Sequence, residues 1–401
     1  MANQPADNDL GDSDRWDELR RLMPAAGKWA YFDHAAVAPL SLPARAALTN
    51  WANDVSQNGV VEWPQWAAQL EHVRRRGAEL LHADPAEIGL IHSTTEGINL
   101  VAEGFPWQPG ENVVAPANEF PSNLYPWMNL AERGVEVRRV PVQNGRVEID
   151  DLARACDDRT RMVTASWVGY ASGWRLDVDA LVDMAHRRGA LVFLDAIQGL
   201  GVFPLDVRQT PVDFLSADGH KWLLGPEGAG LLYVRREHLD RLRPLGVGWN
   251  SVVQAHDYSQ IELKLKPAAR RYEGGTYNMP GLLAFGASLE LLAGFPISEI
   301  AARVLALTDL LCERLSSVGA VVASCREPAH ASGIVSFEMP NENPAEVRRR
   351  CRAQQVVISC REGRLRASPH AYNNEEDINR LMDAISKAPP DDVSDRQKDE
   401  F

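Results

Sequence analysis

Residues 177–195 read DVDALVDMAHRRGALVFLD, and their reading decides the fold. Leu181, Met184 and Ala185 keep helical spacing over 177–188, and Gly189 stands where a C-terminal cap belongs. The run 190–195 (ALVFLD) is then continuously apolar up to its final Asp, as a strand buried on both faces requires. The same alternation extends upstream. Residues 111–115 (ENVVA), 135–142 (VEVRRVPV) and 161–168 (RMVTASWV) read as strands, with a helical stretch at 123–133 between the first two. Strand–helix–strand order of this kind predicts an α/β fold with a largely parallel sheet between helices.

Beyond residue 280 the pattern changes. Residues 282–292 and 297–318 are long helical runs, and Ile300, Val304, Leu307, Leu311 and Leu315 mark one apolar face of the second. Shorter strands follow at 334–338 and 356–359. The expected division is an N-terminal segment 1–28, partly disordered and partly packed on a small domain, then a large domain 29–280, a small α+β domain 281–388 and a flexible tail 389–401. Residues 1–14 are polar and acidic and read as a mobile tail.

Composition narrows the function. Hydrophobic residues make up 45% of 401 and charged residues 24%, which excludes wholesale disorder. A net charge of −13 argues against a nucleic-acid groove or an anionic membrane surface as partner. No stretch approaches the roughly 20 apolar residues of a membrane helix, and the N-terminus lacks the basic-then-apolar order of a signal peptide, so a cytoplasmic location is expected. Five scattered cysteines form no CxxC pair, and ten histidines show no close ligand spacing, so no metal is expected.

Four motifs carry chemistry. Asp195-Ala196-Ile197-Gln198 ends the buried strand, where open α/β sheets bind ligands; its carboxylate suits a protonated ring nitrogen, and equally caps a turn. In Ser216-Ala217-Asp218-Gly219-His220-Lys221-Trp222, followed by Leu224-Gly225-Pro226-Glu227-Gly228, a lysine stands just beyond an apolar run. Burial there lowers its pKa and frees the amine for Schiff-base chemistry; on a surface loop it is an ordinary lysine. Ser93-Thr94-Thr95-Glu96-Gly97 has capping-box spacing and reads both as a helix start and as a phosphate site. In Arg364-Leu365-Arg366 a guanidinium matches a carboxylate bidentately, or is a solvated surface arginine. The sequence has no GxxxxGK[ST], GxSxG or HExxH motif.

Together these residues resemble the class V aminotransferase group of pyridoxal-phosphate enzymes, over about 31–381. The resemblance implies fold type I, with a mainly parallel seven-stranded sheet, and pyridoxal 5'-phosphate as cofactor. It implies that Lys221 links covalently to the cofactor aldehyde and moves protons at the substrate α-carbon, and that Asp195 pairs with the ring nitrogen. Gln198 then bonds the phenolic oxygen. Thr94, Thr95 and His220 contact the phosphate, with Asp218 in the same cofactor-binding set, and Phe120 stacks on the ring. Arg366 holds the substrate α-carboxylate, and His34 and Tyr170 are candidate substrate contacts, His370 a weaker one. The segment 271–278 (RYEGGTYN) resembles RFExGTxN, whose Gly275-Thr276 pair reaches the neighbouring subunit's phosphate, so a homodimer with shared sites is implied. The partner otherwise implied is a small amino-acid substrate. Two residues depart from the desulfurase pattern, Phe120 replacing a stacking histidine and Tyr170 an asparagine. A third candidate, Cys360, lies six residues before Arg366 in a stretch that reads as a hairpin. The expected activity is transamination of an amino acid. Epimerisation or β-elimination is the alternative, desulfuration through Cys360 comes behind them, and a non-catalytic relative of the fold last.

Overall fold

The protein is described here by a computed structural model covering residues 12–386. Its first strand, β1 (Ala30–Tyr31), is followed by seven that form one sheet. These are β2 (Ile88–Ile91), β3 (Asn112–Pro116), β4 (Glu136–Val140), β5 (Thr160–Ser166), β6 (Leu191–Asp195), β7 (Phe214–Asp218) and β8 (Gly230–Val234). They lie in the order β2-β8-β7-β6-β5-β3-β4, and only β8 runs against its neighbours. The architecture is therefore α/β with a mainly parallel sheet, as expected.

The 177–195 stretch folds as its pattern dictates. Asp177 caps the helix Val178–Arg187 by accepting from the Ala180 amide at 2.9 Å. His186 and Arg187 complement the dipole in its last turn. Gly189 adopts φ +72°, the left-handed conformation that turns the chain into β6. Two expectations shift for reasons of proline chemistry. The helix expected at 123–133 breaks into 3-10 turns at Pro121–Asn123 and Asn129–Arg133 around one short helix, Tyr125–Met128; Pro121 and Pro126 remove amide donors. Strand β4 stops at Val140 because Pro141 cannot continue the ladder.

After two long helices, Met279–Ala293 and Ile297–Ser317, come β9 (Val321–Val322), β10 (Val335–Glu338), β11 (Val356–Val357), β12 (Ser359–Arg361) and β13 (Arg364–Ala367). Four of these form an antiparallel sheet in the order β12-β13-β10-β9. Strand β11 instead pairs in parallel with β1. Ala30 and Phe32 thereby join the core built on Leu307, Leu311, Leu315, Val335 and Phe337. The strand expected at 356–359 is thus two strands facing different partners.

A helix already begins at Asp12 (Asp12–Arg21), where the polar composition suggested a mobile tail to residue 14. Trp16 stacks on Phe295 with ring centroids 5.7 Å apart. Arg20 donates to both oxygens of the buried Asp377, at 2.7 and 3.0 Å. The rest of the expected N-terminal tail and the whole tail 389–401 lie outside the described residues. No single described helix is long and apolar enough to cross a membrane.

Candidate active site

Every parallel strand of the large sheet points its C-terminal end the same way, and the chemical motifs leave from those ends. Ser93–Thr95 follow β2, Phe120 follows β3, Ser166 ends β5, Asp195 ends β6, and His220 and Lys221 follow β7. They line one cavity of about 310 Å³, closed from the other side by Ala35–Val37, Tyr170, Arg361 and Arg366. Ligands of open α/β sheets sit at this edge.

The Ser93 motif builds a helix N-terminus. Ser93 Oγ accepts from the Glu96 amide at 3.1 Å and starts the helix Thr94–Gly104. The Glu96 carboxylate does not complete the capping box; it accepts from the His92 amide at 2.5 Å. Gly97 lets the helix touch β7, since a Cβ there would meet Ser216 Oγ at 2.3 Å. Thr94 Oγ1 accepts from the Asp218 amide at 2.9 Å, so the first turn is fixed against the segment carrying Lys221. Thr95 Oγ1 donates to Ser122 Oγ at 2.8 Å. Two hydroxyls and the positive end of a helix dipole meet at one end of the cavity.

At its floor, Asp195 Oδ1 accepts from the Ile197 amide at 3.1 Å, so the carboxylate both caps its turn and faces the cavity. Burial pushes it up to about 6, opposed by that hydrogen bond and by the charge of Lys221. Burial pushes the Lys221 amine down to about 8; Asp195 pulls it back up and Arg366 adds to the fall. Lys221 Nζ lies 5.9 Å from the Phe120 ring centroid, and Tyr170 meets that ring edge-on at 5.3 Å. Gln198 Nε2 donates to Ala35 O and its Oε1 accepts from Trp222 Nε1, both at 2.9 Å, which leaves one N–H for a ligand. His220 Nδ1 sits 2.9 Å from Asp218 Oδ2, an ion-pair separation without the alignment of a hydrogen bond.

Arg366 is fully buried. Its Nε donates to Ser359 Oγ (3.1 Å), Nη1 to Tyr170 O (2.7 Å) and Nη2 to Asp33 Oδ1 (3.1 Å). The sequence reading missed this support shell and a second residue, Glu119. That buried carboxyl accepts from the Ser166 amide at 2.7 Å and from Asn123 Nδ2 at 3.1 Å, and burial raises it to about 7. A glutamate beside a strand end carries no motif; only the fold places it behind the cavity wall.

Two expected histidine contacts fall elsewhere. His34 is corrected from substrate contact to structural residue: it is fully buried, with Nδ1 bonded to Ser368 O and Nε2 to Tyr372 Oη, both at 2.8 Å. Its neighbours Ala35 and Ala36 line the cavity instead. His370 is likewise buried, 3.2 Å from Trp222 O. Gly275 and Thr276, expected at the neighbouring subunit's phosphate and not at their own chain's, open into a separate cavity of about 350 Å³, across the 92–96 turn from Lys221. They follow Glu273, which is locked to Arg74 at 2.6 and 2.9 Å. Cys360 also stays out of the cavity. Its Sγ lies 3.3 Å from Pro344 O, and burial raises its pKa.

The fold gathers one possible metal group among the described residues, Asp213, Glu237 and His238, which sequence spacing did not reveal. It lies at the opposite end of β7, and Asp213 there is already bonded to His186, His238 and the Val192 amide.

The comparisons agree with this architecture. A family model described as aminotransferase class-V matches residues 30–381, so the chain belongs to that family, whose cofactor is pyridoxal 5'-phosphate. A probable cysteine desulfurase of Methanothermobacter thermautotrophicus is 31% identical, covering 93% of this chain and 98% of its own. An uncharacterized aminotransferase of Bacillus subtilis, YcbU, is 25% identical over 92% of this chain and 97% of its own. Among solved structures, the cystine C–S lyase C-DES superposes with a TM-score of 0.86 at 23% identity, covering 92% of this chain and 100% of that one.

The donor set fits this cofactor. A buried carboxylate without a guanidinium partner waits for a ring nitrogen, a lysine amine of lowered pKa for an aldehyde, an aromatic ring for a π-face, and a helix N-terminus with two hydroxyls for a phosphate.

Proposed function

We propose that this protein acts at the α-carbon of an amino acid and removes a β-substituent by elimination. When bound, the cofactor supplies an electron sink for charge developing at the α-carbon. This chain's residues do the rest. The Lys221 amine takes the α-proton, Asp195 holds the opposing charge beneath it, Arg366 orients the α-carboxylate, and Phe120 covers one face. These assignments come from the family resemblance and are supported by the convergence of all four side chains on one cavity.

One observation separates elimination from desulfuration: the register of β12. Side chains alternate along a strand, so Ser359 and Arg361 face Arg366 and the cavity while Cys360 turns to Pro344. Its relative from M. thermautotrophicus is named for cysteine as substrate, but desulfuration needs a thiolate to accept the sulfur, and here none lines the cavity. Without it, the sulfur of a cysteine-type substrate leaves with its own electron pair. Transamination, the first expectation from the sequence, uses the same lysine, and products distinguish the reactions. L-cysteine given to the reconstituted protein should yield pyruvate, ammonia and sulfide in equal amounts. Alanine with persulfide instead means desulfuration; an oxo acid formed only when an amino acceptor is present means transamination.

A homodimer belongs to the same proposal. Gly275 and Thr276 lie away from their own chain's Lys221, on a segment fixed by the buried Arg74–Glu273 pair. A second copy is then the source of a Thr276 hydroxyl at this cavity. The protein should run at twice its monomer mass by light scattering, and Thr276→Ala should weaken cofactor retention while leaving that mass unchanged.

A further inference from the structure

The cations around the cavity are matched, with one exception. Arg366 has Asp33, and Lys221 has Asp195. Arg361 lines the same cavity, yet its guanidinium makes a single hydrogen bond, from Nη1 to the carbonyl of Cys360 at 2.7 Å, and no ion pair among the described residues. The carboxylate next to it in sequence is engaged elsewhere, since Glu362 accepts from Tyr170 Oη at 2.9 Å. Its cross-strand neighbour Arg364 pairs with Glu338.

This cation is also held in place. Arg361 ends β12 directly before a two-residue turn, Glu362-Gly363, with φ of +48° and +77°. Two successive positive φ values make the tight turn that matches strand twist, so the hairpin is short and stiff. Its charge is felt across the cavity, lowering the affinity of both Lys221 and Arg366 for protons. An unmatched guanidinium facing a ligand cavity is complementary to a carboxylate or comparable oxyanion.

We infer that the substrate carries a second anionic group, and that Arg361 selects it. Resting on the elimination reading, the substrate class is a thioether or disulfide amino acid whose leaving part ends in a carboxylate. Arg366 takes the α-carboxylate and Arg361 the distal one. In the step itself, Lys221 removes the α-hydrogen as a proton and the Cβ–S bond breaks with both electrons going to sulfur. The leaving group departs as a carboxylated thiolate from a thioether, or as a carboxylated persulfide anion from a disulfide, and water hydrolyses the remaining enamine to pyruvate and ammonia. No oxidant or reductant takes part.

S-carboxymethyl-L-cysteine and S-carbamoylmethyl-L-cysteine test this, because they share a skeleton and differ in one charge. For the reconstituted enzyme, kcat/KM should favour the acid over the amide at least tenfold, and Arg361→Gln should bring the ratio toward one. The same ratio should appear in substrate Kd values from titration of the visible band. Equal kcat/KM for acid and amide in the wild type overturns the inference while elimination stands, and so does turnover of L-cysteine with neither thioether accepted. If no amino acid releases pyruvate, the elimination reading fails and takes this inference with it. The wild-type ratio decides even if Arg361→Gln does not fold.

Discussion

A lysine amine attacks a carbonyl only in its uncharged form. At Lys221, burial brings the protonation midpoint down to about 8, against the opposing charge of Asp195. Uptake of the cofactor by the apoprotein should therefore speed up about tenfold per pH unit below pH 8 and level off above it. A rate still climbing at pH 10, followed by stopped-flow absorbance, would mark Lys221 as an ordinary solvated lysine. Lys221→Ala should show no cofactor band and lose at least ~10³-fold in turnover. At this scale most of the site was legible, because Lys221, Asp195, Gln198, Thr94 and Arg366 each sit in a motif whose chemistry is local. His34 was not. A histidine beside the cavity-lining Ala35 reads as a ligand until Ser368 and Tyr372, over 330 residues away in sequence, take both its nitrogens. Glu119 and Asp33 escaped notice for the same reason: each is defined by partners distant in sequence.

Among the elements, the hairpin β12–β13 matters most. Its existence was readable from the short gap between Cys360 and Arg366, but which face its residues present depends on the pairing of Ser359 with Arg366 and of Cys360 with Leu365. A slip of one residue would exchange the faces, bringing Cys360 into the cavity and Arg361 out of it. Cys360→Ser should accordingly keep turnover within about twofold of wild type and leave the product ratio unchanged; loss of sulfide release in that variant would restore a nucleophilic role. The large sheet was equally readable, because 190–194 is apolar throughout and preceded by a capped helix. The 123–133 stretch was not, since its apolar spacing runs through Pro126, which cannot sit inside a continuous helix.

Across the whole molecule, the two sheets meet at a buried aromatic cluster. His34 and His370 lie 5.4 Å apart with Trp222 and Tyr372 against them. Burial drives the His370 imidazole down to about 4, so the folded state refuses a proton that the unfolded chain accepts near 6.5. Its neutral form carries no penalty above pH 7, and stability drains away as the pH falls from about 6.5 toward 4. Relative to His370→Asn, the wild type should lose on the order of 3 kcal/mol across that window, read by urea denaturation at several pH values. Arg20→Ala should be costly at any neutral pH. It strands the buried Asp377, for roughly 3 kcal/mol and several degrees of Tm by calorimetry. The parallel pairing of β1 with β11 sets an order of events during synthesis. Residues 30–31 leave the ribosome well ahead of their partners at 356–357. Until then Asp33 has no Arg366, and the cavity wall lacks both Arg361 and Arg366. The cavity is therefore complete only once Arg366 has emerged, and a chain released before that carries Lys221 without the two arginines that face it.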